Sequence, residues 1–305
     1  MTTLLHTSSG EYSSIWLGIL HEVLLDGLLE TLKIIPFLFL TYLVMELIEH
    51  KTSDKAKRFM ERSGAAGPLV GGTLGIVPQC GFSASASNFY TARVITLGTL
   101  IAVFLSTSDE MLPIMISSSI SAKAIFLILL YKSAVAVFVG FAVDLILRLM
   151  KKERKPINID EICSNDDCHC ERGILFSSLH HTVTIGSFIL LITLIINALY
   201  FFVDSETIAL VLYDKPVLSH LIASVLGLIP NCAVSVLFTS LCLEGAITAG
   251  TMLSGLFSGA GIGLIVLFRV NKNLKENLII MLILTVSATV FGLVADLMNF
   301  SAVIQ

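Results

Sequence analysis

Two stretches decide the fold: residues 74–90 read LGIVPQCGFSASASNFY, and residues 226–236 read LGLIPNCAVSV. Each places proline, an amide side chain and cysteine in series at the centre of an apolar region. Proline has no backbone N–H to donate, so it interrupts the helix that the apolar residues favour. Each arm then holds about 12–14 residues, too few to cross about 30 Å of hydrocarbon. The pattern predicts two re-entrant helical hairpins.

The two stretches belong to a longer internal repeat. Pro78 matches Pro230, which lies 152 positions later, and the same shift aligns residues 74–145 with the second half of the chain without a gap. The other matched positions include Cys80/Cys232, Ser83/Ser235, Thr96/Thr248, Gly98/Gly250, Ser106/Ser258, Gly140/Gly292 and Asp144/Asp296. A register shared by Pro, Cys, Gly and Asp indicates a duplication. A duplicated bundle without a transport role is the alternative reading.

Composition places this duplication in a membrane. Charged residues make up 14% of the chain and hydrophobic residues 55%, and the mean hydropathy is +0.89. Soluble domains carry roughly 25% charged residues, and they do not expose so much apolar surface. A soluble enzyme, a nucleic-acid binder and a disordered protein are therefore excluded. We predict an all-α polytopic membrane protein without a P-loop for ATP.

Six further apolar stretches are about the length of a membrane-spanning helix. They are residues 31–48, 94–121, 124–150, 174–203, 246–268 and 278–300. Each half of the chain then has three spans and one hairpin, or about ten hydrophobic helices and half-helices in all. Because an odd number of crossings inverts the second half, the predicted architecture is a pair of inverted-topology repeats, which is typical of secondary transporters.

Basic residues set the predicted orientation, because cytoplasmic loops are enriched in Lys and Arg. Most of the 19 basic residues fall on one face if the hairpins re-enter: Lys51, Lys55, Lys57, Arg58, Arg62, Arg93, Arg148, Lys151, Lys152, Arg154, Lys155, Arg172, Arg269, Lys272 and Lys275. This face is predicted to be cytoplasmic, with both termini outside. The expected location is the cytoplasmic membrane of a bacterium.

The domain organisation follows from these segments. Residues 1–30 are predicted to hold a lead-in, amphipathic helix, which could instead extend the first span or form a span of its own. Residues 31–148 form the first membrane repeat, and residues 174–305 form the second. Between them, residues 149–173 are predicted to be a cytoplasmic Cys/His loop.

The residues also resemble a known family. Both Pro-amide-Cys segments, the stretch TLKIIPFLFLTYLVMELIEH at residues 31–50 and the CxxxxCHC loop before GILFSSLHHT are similar to the ten-transmembrane heavy-metal exporters. That family is distantly related to the ArsP-type permeases, which export trivalent organoarsenicals, and some of its members are labelled manganese transporters. The resemblance covers residues 31–296 and implies an exporter. ArsP-type permeases carry a Cys-rich run at the matching hairpin, whereas this chain has one cysteine per hairpin.

The hairpin tips are the first candidate site. Polar groups repeat there and are predicted to bind substrate: Gln79, Cys80, Ser83, Asn231, Cys232 and Ser235. Helix ends point partial charges at such a tip, and the Cys80 and Cys232 thiols could bind a metal. The alternative is a packing motif in which small residues bring helices together.

Two adjacent acids are the second candidate. Asp109 and Glu110 interrupt an apolar stretch before Pro113, which predicts a broken helix. Carboxylates within a membrane are expensive and mark a functional site by default. They are predicted to bind a metal cation, to carry protons, or to do each in turn. Alternatively, the span ends early and the pair faces water.

A thiol-rich loop is the third candidate. Cys163, Cys168, His169 and Cys170 offer thiolate and imidazole ligands that suit soft metals. The alternative is a charged loop with incidental thiols.

Other charged residues are expected to be structural. Lys33 and Lys132 are predicted to be buried partners of carboxylates, or to reach an interface. Asp144 and Asp296 are expected at helix ends in solvent.

The predicted function is export of a metal cation, manganese or a heavy metal or metalloid, by proton-coupled alternating access. No resident cofactor, no nucleic acid and no catalytic residue is expected; membrane lipid is the expected partner, and a homodimer is left open. Transport of a small organic anion or metabolite, a membrane metal sensor built on the Cys-His-Cys loop and a membrane-embedded enzyme are alternatives. The sequence supports the enzyme least, because it has no HExxH or GxSxG motif.

Overall fold

A computed structural model describes residues 24–50, 66–76, 80–107, 111–150, 174–201 and 216–301. The regular structure of these residues is entirely helical. We number its helices in chain order: α1 (Asp26–His50), α2 (Gly67–Leu74), α3 (Cys80–Thr91), α4 (Leu97–Ser106), α5 (Met111–Ser117), α6 (Ala122–Leu149), α7 (Ile174–Phe201), α8 (Pro216–Gly227), α9 (Cys232–Leu243), α10 (Ala249–Ser258), α11 (Ile262–Val270) and α12 (Leu274–Leu297).

Five segments of the described chain are long and apolar enough to cross a membrane. They are Leu97–Ser117, Ala122–Leu149, Ser178–Ile195, Ala249–Val270 and Leu274–Leu297. The remaining predicted span, residues 31–48, lies within α1. This helix begins at Asp26, so the described part of the lead-in segment is continuous with it.

Short helices flank the two Pro-amide-Cys sequences. The arms α8 and α9 have 12 residues each and are joined by Leu228–Asn231, where the backbone N–H of Asn231 donates to Ile229 O at 2.8 Å. Twelve residues extend about 18 Å, well under the thickness of a bilayer core. In the first half, α2 and α3 have 8 and 12 residues and flank residues 77–79, which lie outside the described chain.

Two of the membrane-length segments are broken near their middle. The first is interrupted between α4 and α5, and the second at residues 259–261, between α10 and α11. Gly261 has a φ of 53°, in the left-handed region that glycine adopts without steric cost. Pro113 lies in the first turn of α5, where a missing N–H breaks no helical hydrogen bond. The break predicted before Pro113 is therefore present.

The helix bounds follow the sequence repeat. The bounds of α9 and α10 are those of α3 and α4 displaced by 152 residues at both ends. The N-caps repeat as well, since the Thr96 hydroxyl accepts from the N–H of Thr99 and the Thr248 hydroxyl from that of Thr251. Equivalent residues thus start equivalent helices, and local capping chemistry explains where they start.

The broken segments form the centre of the bundle. Every residue of α10 is buried, as are all residues of α4 except Leu97. These helices contact each other, α6 packs against α4, and α12 packs against α10. On the outer faces of α6 and α12, large apolar side chains such as Phe126, Phe138 and Leu282 are exposed. Such faces suit contact with lipid, and the chain is a multi-pass membrane protein.

The two repeats are intertwined. Helix α3 of the first repeat packs against α11 of the second, α9 packs against α5, and α1 packs against α7. A site built at the ends of these helices would contain residues of both repeats.

Candidate functional site

We define four interruptions of the chain: the two Pro-amide-Cys segments, tip 1 (residues 75–83) and tip 2 (residues 227–235), and the two helix breaks, break 1 (residues 107–110) and break 2 (residues 259–261). Described residues at or beside each of them lie close together in the interior. Gly75 and Gly227 end the first arms. A Cβ at Gly75 would collide with the Ser106 hydroxyl, and one at Gly227 with the Ser258 hydroxyl. Each tip therefore begins beside the break of its own repeat.

Helix α3 also packs against α11, the helix that follows the break of the other repeat. The Ser87 hydroxyl, one turn beyond Ser83, donates to Gly263 O at 2.6 Å and to Ser83 O at 3.0 Å. A Cβ at Gly263 would lie 2.7 Å from the Cβ of Ser83 and 2.8 Å from the Phe104 ring. Only a glycine allows α3 and α11 to approach this closely. Helix α3 is thus held between both repeats.

Lys132 connects the two breaks. Its side chain is fully buried on α6. The Lys132 Nζ donates to Thr107 O at 2.5 Å, at the end of α4, and to Leu256 O at 3.3 Å, near the end of α10. The two helix ends are consequently only a few ångströms apart. Lys132 is buried as predicted, and these hydrogen bonds go to backbone carbonyls. Lys33, by contrast, is exposed, so of the two alternatives only a side chain that reaches an interface fits it.

The predicted site residues are only partly described. Ser83 and Asn231 are buried at tips 1 and 2, and Ser235 is partly buried on α9. Cys80 and Cys232 begin α3 and α9, but their side chains are not described. The remaining candidates lie outside the described residues: Gln79, Asp109, Glu110, Cys163, Cys168, His169 and Cys170. Within the described ranges, no group of three or more His, Cys, Asp or Glu residues could hold a metal ion.

A repeated carboxylate clamp, which the sequence reasoning missed, positions the central helices. In the first repeat, Asp144 accepts from the backbone N–H of Gly98 at 2.8 Å and from the Thr96 hydroxyl at 2.7 Å. The prediction that Asp144 sits in solvent is wrong, because its side chain is buried against the N-terminus of α4. A carboxylate there satisfies orphan N–H groups and complements the helix dipole.

The second repeat has the same clamp on α10. Asp296 accepts from the backbone N–H of Gly250 at 2.7 Å and from the Thr248 hydroxyl at 2.6 Å. His220 is added here, with its Nε2 3.1 Å from the Asp296 carboxylate. The residue equivalent to His220 in the first repeat is Pro68. The joint repetition of Thr, Gly and Asp was the signal that could have revealed both clamps.

Replacing Asp144 should loosen the start of α4. In Asp144→Asn, an amide N–H replaces one of two acceptor oxygens, so a buried donor loses its partner. We expect the free energy of unfolding to fall by about 1–3 kcal/mol. Thermal unfolding of the purified protein measures the loss. The control Thr96→Ser keeps the hydroxyl and should stay within about 0.5 kcal/mol of the parent; an equal loss in both variants would contradict the clamp.

A polar cluster joins the end of α3 in the first repeat to the start of α12 in the second. The buried Tyr90 hydroxyl, at the end of α3, donates to the Glu276 carboxylate on α12 at 2.5 Å. Asn271 donates to Glu276 at 3.4 Å and to Asn277 at 2.8 Å. The residues equivalent to Tyr90 and Glu276 are Cys242 and Ala124, which cannot form this pair. The equivalent positions of the two repeats therefore differ in their chemistry.

Comparison with known proteins gives one family. A family model described as "Putative, 10TM heavy-metal exporter" matches residues 19–202, which is more than half of the chain. The matched range contains α1 to α6, the Cys/His loop and α7. No curated protein and no solved structure matches the chain.

Proposed function

The chain belongs to the family of ten-transmembrane heavy-metal exporters, and from this premise we propose that it moves a metal cation out of the cytoplasm by proton-coupled alternating access. The family is one of transporters and not of enzymes. The proposed cargo is manganese or a heavy metal or metalloid. The proposed site lies where tips 1 and 2 meet breaks 1 and 2.

The close approach of the described residues beside these interruptions is the observation that supports the proposal. Non-helical backbone at membrane depth is tolerated only inside protein or beside a cavity. Here α4 and α10 end within reach of one buried ammonium, Lys132, and glycines bring the tips against the same ends. Broken helices at a repeat interface are where secondary transporters bind substrate. Lipid packing alone would require no such interruption.

Inverted topology supplies the two access states in the proposal. If the hairpins re-enter, each repeat crosses the membrane three times and the second repeat is inverted. The exchanged contacts of α3 with α11 and of α9 with α5 then lie on opposite sides of the site. The exposed Arg148, Arg269 and Lys272 support a cytoplasmic face at their end of the bundle. Both termini are proposed to lie on the outer side of the cytoplasmic membrane.

The Tyr90 and Glu276 pair would lie at the cytoplasmic end in this orientation. It ties the first hairpin to the second repeat. A carrier that opens inward must separate groups that join its repeats on that side. The pair therefore fits a contact that forms when the site is closed to the cytoplasm.

Metal ligands in this proposal come from two parts of the chain. Asp109 and Glu110, which are separated from Thr107 by Ser108 alone, supply carboxylates, and the Cys80 and Cys232 thiols begin the second hairpin arms. Cys163, Cys168, His169 and Cys170 would capture metal in the cytoplasm before transport. Carboxylates suit manganese, whereas thiols suit zinc or arsenite-like cargo.

Uptake into inside-out vesicles tests the function directly. Vesicles that contain the protein should accumulate at least one of manganese, zinc, copper(I) or arsenite, and a pH gradient that is acidic inside should increase the rate. Vesicles without the protein are the control. Stimulation by organic acids, with indifference to every metal, would contradict metal export and favour the organic-anion alternative.

A further inference from the structure

Two backbone oxygens face the Lys132 ammonium, as they would face the ion in a cation site. The side chain is fully buried near the middle of α6, the 28-residue span Ala122–Leu149. Its two carbonyl acceptors belong to different repeats, Thr107 at 2.5 Å and Leu256 at 3.3 Å. The Phe257 ring completes one side, with its centroid 5.8 Å from Nζ.

The helix breaks make these carbonyls available. In an uninterrupted α10, Leu256 O would accept from the N–H of Ala260, but that N–H donates to Ser258 O at 2.8 Å. Thr107 is the C-cap of α4, and its backbone has left the helical region. The last carbonyls of a helix lack intrahelical partners and carry its negative partial charge. Two negative helix ends therefore point at one place.

Such a place attracts a cation. In secondary transporters, carbonyls of unwound backbone and the C-terminal ends of half-helices coordinate the coupling Na⁺ or proton. A lysine ammonium is a compact charge with three N–H donors and no acceptor, so it can satisfy oxygens that would otherwise bind an alkali-metal ion. The residue equivalent to Lys132 is the fully buried Leu284. Only the first repeat supplies the charge.

We propose that the Lys132 ammonium permanently occupies the position of an alkali-metal coupling ion, so that the carrier works without Na⁺ or K⁺. This inference rests on the proposed function only in that the protein is a secondary transporter. It leaves the proton as the coupling ion. It also gives Lys132 a positioning role, because the ammonium holds the ends of α4 and α10 together without binding the cargo.

Removing the ammonium should create an alkali-ion dependence that the parent lacks. In Lys132→Ala, the freed carbonyls surround a space where Na⁺ or K⁺ can bind. Thermal unfolding of the purified protein is measured in NaCl, KCl or choline chloride at equal ionic strength. We expect the parent Tm to be the same in all three salts. The variant Tm should be lower in choline chloride and rise by about 3–6 °C in NaCl or KCl.

A matched control separates cation binding from loss of packing. Leu284→Ala removes a buried side chain at the equivalent position, and its Tm should fall without responding to the choice of salt. If folded Lys132→Ala protein has the same Tm in all three salts, the inference is wrong. Lys132→Ser, which keeps one hydroxyl donor for the carbonyls, takes its place if the alanine variant does not fold.

Transport by the parent protein provides an independent test of the inference. Replacing Na⁺ and K⁺ by choline on both sides of proteoliposomes should leave the rate within about twofold of its original value, because no alkali ion takes part. A tenfold or larger loss would overturn the inference. Tm needs no knowledge of the cargo, so failure of the metal assay and failure of this inference are distinguishable.

Discussion

Gly98→Ala is expected to prevent normal packing of the bundle. A Cβ at this position would collide with the carbonyl oxygen of Gly140 on α6, and it would lie 2.5 Å from Cγ and 2.6 Å from Oδ1 of Asp144. The first of these atoms is backbone and cannot rotate away. The second belongs to the carboxylate that accepts the N–H of Gly98 itself. One methyl group therefore disturbs both the helix contact and the clamp.

The loss of stability should be large for the addition of a single methyl group. Overpacking a close contact costs about 1–3 kcal/mol, and disturbing a buried charged hydrogen bond adds a similar amount. We expect the free energy of unfolding to fall by about 3 kcal/mol or more. We also expect little monodisperse protein after extraction from the membrane. Size-exclusion chromatography and thermal unfolding measure both effects. The equivalent Gly250 faces Asp296 and Gly292 in the same way, so Gly250→Ala should behave alike.

Gly186→Ala is the matched control for this prediction. Gly186 also lies within a long helix, α7, but the nearest atom to an added Cβ is Ile35 Cγ1 at 3.9 Å, an ordinary contact. Alanine favours a helix interior by about 1 kcal/mol over glycine, so the variant should be as stable as the parent or more so. Normal stability of Gly98→Ala would contradict the close approach of α4 and α6.

Asp109→Asn and Glu110→Gln are expected to abolish most transport if these carboxylates bind metal at break 1. Both substitutions keep the size of the side chain and remove its charge. Changes to residues outside the direct ligand shell of a metal site typically lower metal affinity or activity about 10- to 100-fold. Because a direct ligand charge is lost here, the uptake rate should fall by at least as much. The initial rate of metal uptake in inside-out vesicles measures the effect. Normal rates in both variants would refute the proposed role.

An exposed carboxylate provides the control for this experiment. Glu244 follows α9 and is exposed. Glu244→Gln removes one negative charge without touching the breaks, and its uptake rate should equal that of the parent. A similar loss in all three variants would indicate a general effect of charge on expression or insertion. Comparing rates per amount of folded protein removes that effect.

Much of the local structure could be predicted from the sequence because local chemistry controls it. Pro230 interrupts a helix in any surroundings, because it lacks a backbone N–H. The next helices begin at the equivalent residues Cys80 and Cys232, as the sequence repeat predicts. The break before Pro113 is also a local feature. Composition alone excluded a soluble protein, because so few charges cannot cover a folded surface.

The sites could be predicted only where their residues are neighbours in sequence. The tip residues Ser83 and Asn231 are buried in the interior. Their role in binding substrate remains a prediction, as does that of Asp109 and Glu110. Asp144 was placed in solvent because a helix end usually lies there. Its partner Gly98 is 46 positions away in the sequence, and nothing local connects the two.

Lys132 marks the limit of what the sequence determined. The sequence by itself determined that the chain is helical, duplicated and embedded in a membrane, since hydropathy, proline and capping residues act over a few positions. Only the tertiary structure decided that the ammonium of Lys132 meets the ends of two helices from different repeats. A buried charge is tolerated only where partners surround it. Two of those partners are backbone carbonyls, which no residue type reveals in the sequence.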